Sequence, residues 1–115
     1  MIFGFTITSI LKQHMLSIRK LLVIIDNTFA SPVNFRPAAL GFDLVLHSAT
    51  KYLNGHSDLV CGAILGRAAL VEQILHTLNH LGGCLSPHGC FLLHRGLKTL
   101  SVRVRAQSAG ALALA

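Results

Sequence analysis

Asp43-Leu44-Val45-Leu46-His47-Ser48-Ala49-Thr50-Lys51-Tyr52-Leu53-Asn54-Gly55-His56-Ser57-Asp58 is the stretch on which the reading of this chain turns. Residues 43–46 form a short, mostly apolar run that predicts a β-strand. The hydroxyl residues Ser48 and Thr50 follow in a turn, and Lys51 comes immediately after. A lysine that forms a Schiff base must be presented on a rigid turn, with hydroxyls and backbone N–H groups nearby to accept a phosphate. Taken alone, Ser-x-Thr-Lys describes equally well a solvated lysine beside two turn-forming hydroxyls, because such residues are common in turns for local reasons. The surrounding sequence has to decide between the two.

Upstream, Leu21-Leu22-Val23-Ile24-Ile25 is a continuous apolar run that ends in Asp26 and a turn cluster of Asn27, Ser31 and Pro32. It predicts a buried parallel strand whose carboxyl end delivers Asp26 to the sheet edge, where open α/β folds place their ligands. Residues 34–41 predict a short helix or turn closed by Gly41. Downstream, residues 59–65 predict a third strand, with Gly62 marking a close backbone approach. From Arg67 the period changes. Leu70, Val71, Ile74, Leu75, Leu78 and Leu81 fall on helical spacing, and Gly82-Gly83 stops that helix. Ser86-Pro87 supplies an N-cap and first-turn pair for a second helix over Cys90 to His94, ending near Gly96, and a third helix runs from about Leu97 to the last residue. In residues 1–20, Lys12, Arg19 and Lys20 without an acid give a composition similar to an organellar transit peptide. They run without a spacer into an apolar strand, so a helix leading to that strand is the simpler account.

The composition excludes several classes. Of 115 residues, 52% are hydrophobic and 12% charged, against about 25% charged in an average soluble domain. No run reaches the roughly 18–20 apolar residues of a membrane span, so the excess predicts a segment buried on several sides within a larger body. Ten Lys and Arg against four acids invite a nucleic-acid reading, but the basic residues stand singly except between Arg95 and Arg105, where no aromatic platform accompanies them. Three cysteines, Cys61, Cys84 and Cys90, make an odd count that predicts a reducing compartment, with the cytoplasm as the expected location. His80, Cys84, His88, Cys90 and His94 crowd together, yet none of their spacings completes a zinc set, and no metal is expected. Cys61 reads as a small core thiol, since no base and orienting group accompany it.

The lysine stretch, with Val23-Ile24-Ile25-Asp26-Asn27-Thr28-Phe29-Ala30-Ser31-Pro32 ahead of it, resembles the two signatures of the trans-sulfuration (Cys/Met metabolism) family of pyridoxal-phosphate enzymes, the cystathionine γ-synthase/γ-lyase group. The order and spacing of the aspartate and the lysine agree with that family. Asn79-His80-Leu81-Gly82, Ser86-Pro87 and Arg95 to Arg103 resemble its helical stretch between the large and small domains, so the resemblance covers residues 21–115. It implies an α/β fold, a fragment of the large cofactor-binding domain of the aspartate-aminotransferase-like (fold type I) architecture. By the same resemblance, Lys51 carries pyridoxal 5'-phosphate and moves protons at the substrate Cα. Asp26 keeps the pyridine nitrogen protonated, and Ser48 and Thr50 bind the cofactor phosphate. A Schiff-base lysine must lose its proton to react, and burial with nearby positive groups is expected to favour that loss. His56 is expected to support the loop behind Lys51. The implied reaction is elimination or replacement at the γ or β carbon of a sulfur amino acid such as cystathionine, by a homo-oligomer.

The resemblance also defines departures. Residues 1–20 form an atypical segment without tyrosine, where the family has a glycine-containing phosphate loop and a tyrosine stacked on the cofactor ring. The small domain with the arginine that grips the substrate carboxylate has no counterpart, and Arg95 and Arg103, in the linking region, are not assigned that role. Catalysis requires all of these groups placed together to within fractions of an ångström. The chain is therefore expected to be a truncated piece, inactive alone. The alternative is a non-catalytic remnant that acts as an interaction module with a full-length relative.

Overall fold

The computed structural model describes residues 21–115, so the helix expected within residues 1–20 lies outside the described residues. Three strands form one sheet in the order β1 (Ile24–Asp26), β2 (Leu44–Ser48), β3 (Gly62–Gly66). Four helices accompany it: α1 (Ser31–Asn34), α2 (Ala68–Leu81), α3 (Pro87–Leu97) and α4 (Leu100–Leu114). A 3-10 turn at Pro37–Leu40 is closed by Gly41 in the left-handed conformation.

β1 and β2 are parallel, with Ile24 opposite Leu44 and Asp26 opposite Leu46. A parallel pair needs a long connection, and residues 27–43 supply it through α1 and the 3-10 turn. The Asp43 carboxylate steadies the other end of the pair, accepting from the Val23 N–H at 2.9 Å and from Arg67 at 2.7 Å. β3 runs antiparallel to β2, with Ser48 opposite Gly62 and Leu44 opposite Gly66. The segment between them, residues 49–61, contains no crossover helix, so the chain can only return in the opposite direction.

The helix limits follow the local signals. Ser86 Oγ accepts the Gly89 N–H at 3.2 Å with Pro87 in the first turn, and α2 stops at Gly82 with φ of 72°. Two expectations need correction. β1 is parallel but not buried, since Ile24 is 51% exposed, because one of its edges and part of its surface meet no other described element. The close backbone approach belongs to Gly66, not Gly62. A Cβ at Gly66 would lie 2.5 Å from Leu44 Cδ2 and 2.6 Å from the Asp43 carbonyl oxygen, whereas one at Gly62 meets only the His47 carbonyl at 3.9 Å.

The core is small and sits beside the lysine turn. Ala49, Leu53, Leu100 and Val104 form a buried cluster, with Val33, Tyr52, Cys61, Ala63 and Leu93 packed around it. Ala49 and Leu53 thus anchor the turn inward on both sides of Lys51. The apolar stripe of α2 covers β3 only in part. None of its residues is buried, and Leu70, Ile74 and Leu78 face a groove open to solvent.

Candidate active site

The two parallel strands deliver Asp26 and Ser48 to the same edge of the sheet. Thr28 joins them. Its Oγ1 accepts the Ser48 N–H at 2.7 Å, and its own N–H donates to Asp26 Oδ1 at 2.9 Å. Hydrogen bonding from the Thr28 side chain and backbone holds the exposed Asp26 carboxyl below its ordinary value, with the neighbouring His47 adding a smaller effect in the same direction. His47 itself is buried, and its Nδ1 finds no hydrogen-bond partner among the described residues. Burial lowers its pKa, and the Asp26 charge only partly opposes that.

Past Ser48 the chain folds into a tight turn. The Lys51 N–H donates to the Ser48 carbonyl at 3.1 Å, Asn54 N–H to Ala49 at 3.0 Å and Gly55 N–H to the Lys51 carbonyl at 2.7 Å. Lys51 points away from the core cluster and is exposed. The burial expected around it is not provided by the described residues, because Ala49 and Leu53 take the inward positions. Lys51 and Thr50 share the wall of an open cavity of about 760 Å³ with Phe29, Ser57 and Arg103, and Asp26 and Ser48 lie outside that wall.

Thr50 is less available than its place in the turn suggests. Its hydroxyl donates to the Cys61 carbonyl at 3.2 Å and accepts the Cys61 N–H at 2.9 Å, tying the lysine turn to the start of the β3 segment. The Ser48 hydroxyl makes no hydrogen bond among the described residues. His56 supports the loop as expected, with Nδ1 2.6 Å from the Asn54 carbonyl. Burial raises the Cys61 thiol pKa, with Cys90 nearby adding to the shift, which disfavours the thiolate a nucleophile would need.

Several functional groups escaped the sequence reading. Thr28 was visible only as part of an Asp-x-Thr turn, a pattern in which the aspartate accepts the N–H two residues on. Asn54, Asp58 and Arg95 form a network behind Lys51, and Arg103 binds the backbone of the same loop at Tyr52 and Leu53. Asn54 Nδ2 donates to Asp58 Oδ1 at 2.8 Å and Arg95 pairs with Asp58 Oδ2. The Asn54 amide, then the Arg95 guanidinium, hold the Asp58 carboxyl below its ordinary value.

The donor set fits pyridoxal phosphate: an exposed amine at Lys51, a carboxylate at Asp26 that hydrogen bonding keeps ionised, and hydroxyls at Ser48, the last residue of β2, and at Thr50 in the turn after it. A protonated pyridine nitrogen needs an anion, a phosphate needs donors, and an aldehyde needs an amine.

Comparison with known proteins agrees with this chemistry. The family described as Cys/Met metabolism PLP-dependent enzyme matches residues 5–115, reaching beyond the residues 21–115 that carry the motifs. Cystathionine gamma-synthase 1, chloroplastic, of Nicotiana tabacum is 51% identical over 94 residues, covering 82% of this chain and 17% of that protein. The crystal structure of cystathionine gamma synthase from Xanthomonas oryzae pv. oryzae in complex with aminoacrylate and cysteine matches with a TM-score of 0.81 at 42% identity, over 91% of this chain and 28% of that one. Cystathionine gamma-lyase from Lactobacillus plantarum, complexed with L-serine, matches with a TM-score of 0.76 at 44% identity, over 82% of this chain and 25% of that one. The chain spans between 17% and 33% of the length of the curated relatives it resembles.

Proposed function

This chain belongs to the Cys/Met-metabolism family of PLP-dependent enzymes, and from that premise we propose that it forms the cofactor-lysine segment of a cystathionine-type trans-sulfuration enzyme. When bound, pyridoxal phosphate supplies an electron sink for negative charge at the substrate Cα. Lys51 would hold the cofactor through its amine and would move the proton at that carbon. Asp26, kept ionised by Thr28, holds the proton on the pyridine nitrogen. Ser48 donates its hydroxyl to the phosphate. Thr50 joins it by turning its proton from the Cys61 carbonyl, its longer bond at 3.2 Å, while still accepting the Cys61 N–H at 2.9 Å.

The substrate class is a sulfur amino acid, eliminated or replaced at its γ or β carbon, and the working enzyme is a homo-oligomer. The three free thiols support a reducing compartment, for which we propose the cytoplasm. No helix among the described residues is long and apolar enough to cross a membrane. By itself the segment should not turn over substrate, since Lys51 stands exposed on the wall of an open cavity and Asp26 and Ser48 lie outside that wall. A second reading, a non-catalytic module that associates with a full-length relative, is supported by exposed apolar residues such as Phe29 and Val60, 82% and 86% accessible.

The single observation that carries the first reading is the joining of Asp26 to the Ser48 end of β2 through Thr28, one turn before Lys51. An absorbance titration with pyridoxal phosphate beside Lys51→Ala tests it. A saturable visible band that vanishes in Lys51→Ala is expected. Equal spectra for the two proteins would remove cofactor attachment at Lys51 and leave the interaction module.

A further inference from the structure

We propose that Arg103 is a positioning residue for Lys51: its guanidinium locks the loop behind the lysine to the helical layer and thereby fixes the turn that presents the amine. The inference rests on the assignment of Lys51 above.

Arg103 reaches from α4 across to the turn. Nη1–H donates to the Tyr52 carbonyl at 2.9 Å, and Nη2–H to the Gly96 carbonyl at 2.8 Å and, more weakly, to the Leu53 carbonyl at 3.4 Å. Nε–H donates to Thr99 Oγ1 at 3.0 Å, which sets the plane of the group. One planar cation therefore joins the two residues that directly follow Lys51 to the end of α3. Only a guanidinium offers donors in this fixed fork, and a lysine ammonium would present the same charge without it.

Two glycines make room for the clamp. Gly55 has φ of 73°, and a Cβ there would collide with the Arg103 guanidinium. A Cβ on Gly96 would collide with the Asn54 carbonyl oxygen, so α3 can lie against the loop backbone only at a glycine. The Arg95–Asp58 ion pair and the Asn54–Asp58 hydrogen bond close the far side of the same loop. Lys51 is thus held through its own backbone, by Ser48 before it and Gly55 after it, while the clamp holds the carbonyls of Tyr52 and Leu53. Covalent attachment depends on where Nζ sits, and a small misplacement carries a large penalty.

The test uses the whole chain with Arg103→Ala, Arg103→Lys and, as a control of equal charge loss on the same helix, Arg105→Ala. Three quantities are read: the affinity and the pH midpoint of the visible band with pyridoxal phosphate, and the amide hydrogen exchange of residues 52–58. Each hydrogen bond lost from a charged donor corresponds to about tenfold. Both Arg103 variants should weaken cofactor attachment by about tenfold or more, shift the midpoint, and speed exchange in residues 52–58 without affecting β2. Arg105→Ala should do none of this. Arg103→Lys matching the parent would show that charge suffices and overturn the proposal, as would parental exchange in both Arg103 variants. If the parent itself shows no visible band, the assignment of Lys51 fails, and exchange alone still decides whether Arg103 fixes the turn.

Discussion

Thr28 does for the strand ends what no residue of the lysine signature does. It is buried, its hydroxyl satisfies the Ser48 N–H, and its own N–H donates to the Asp26 carboxylate. Thr28→Val keeps the shape and the N–H but removes the hydroxyl. Leaving the Ser48 N–H unpaired should cost about 1–3 kcal/mol, measured by urea unfolding, and the Asp26 carboxyl should move up toward its ordinary value in a titration followed by NMR. Parental stability in Thr28→Val would remove Thr28 from this role. Acid should weaken the fold in two stages. Burial lowers the His47 pKa, so below the ordinary value of 6.5 the unfolded chain takes up a proton that the folded chain refuses. Stability is therefore full above that value and falls as pH drops through it. Asp26 and Asp58 are held below 3.8 by their hydrogen bonds, so their contributions are present above 3.8 and are lost as pH falls through the folded values. An unfolding midpoint that stays flat across the histidine range, compared in the parent and in His47→Gln, would contradict the first stage.

At the level of elements, β3 shows how one residue sets the approach of a strand. It lies antiparallel to β2 in a register that places Gly66 against Leu44 and the Asp43 carbonyl. Gly66→Ala must push the strand away at a backbone atom, which cannot move as a side-chain tip would, and should cost about 1–3 kcal/mol. Gly62→Ala, with only an ordinary contact at 3.9 Å, should be neutral or stabilise by roughly 0.4–1 kcal/mol through the unfolded chain. Urea unfolding of the two variants measures the difference, and equal effects would mean that β3 does not sit in this register. The antiparallel direction also explains why the lysine turn is compact. With no crossover helix between β2 and β3, residues 49–61 are free to wrap the turn and bind back to it, as Thr50 does to Cys61.

The described residues form a flat body, with extents of 46 × 44 × 17 Å and a radius of gyration of 16.1 Å, against roughly 13 Å for a compact domain of about 100 residues. A slab 17 Å thick cannot enclose its apolar residues. Leu81, Val102 and Leu112 are 72–81% exposed. The isolated chain should therefore associate with rising concentration and bind an apolar dye, as read by sedimentation velocity and dye fluorescence; a monodisperse monomer that binds no dye would be the contrary result. The sequence by itself determined what depends on near neighbours: the strand that ends in Asp26, the Ser48 to Lys51 turn, the cap at Ser86 and the stop at Gly82. Each of these is encoded within a few positions, where backbone preference and capping operate. Tertiary structure alone decided the direction of β3, the exposure of β1 and Lys51, and the roles of Thr28, Gly66 and Arg103. Those depend on partners far along the chain, 20 residues between Thr28 and Ser48 and 51 between Arg103 and Tyr52. Spacing and composition do not record which distant backbone atom a side chain will meet.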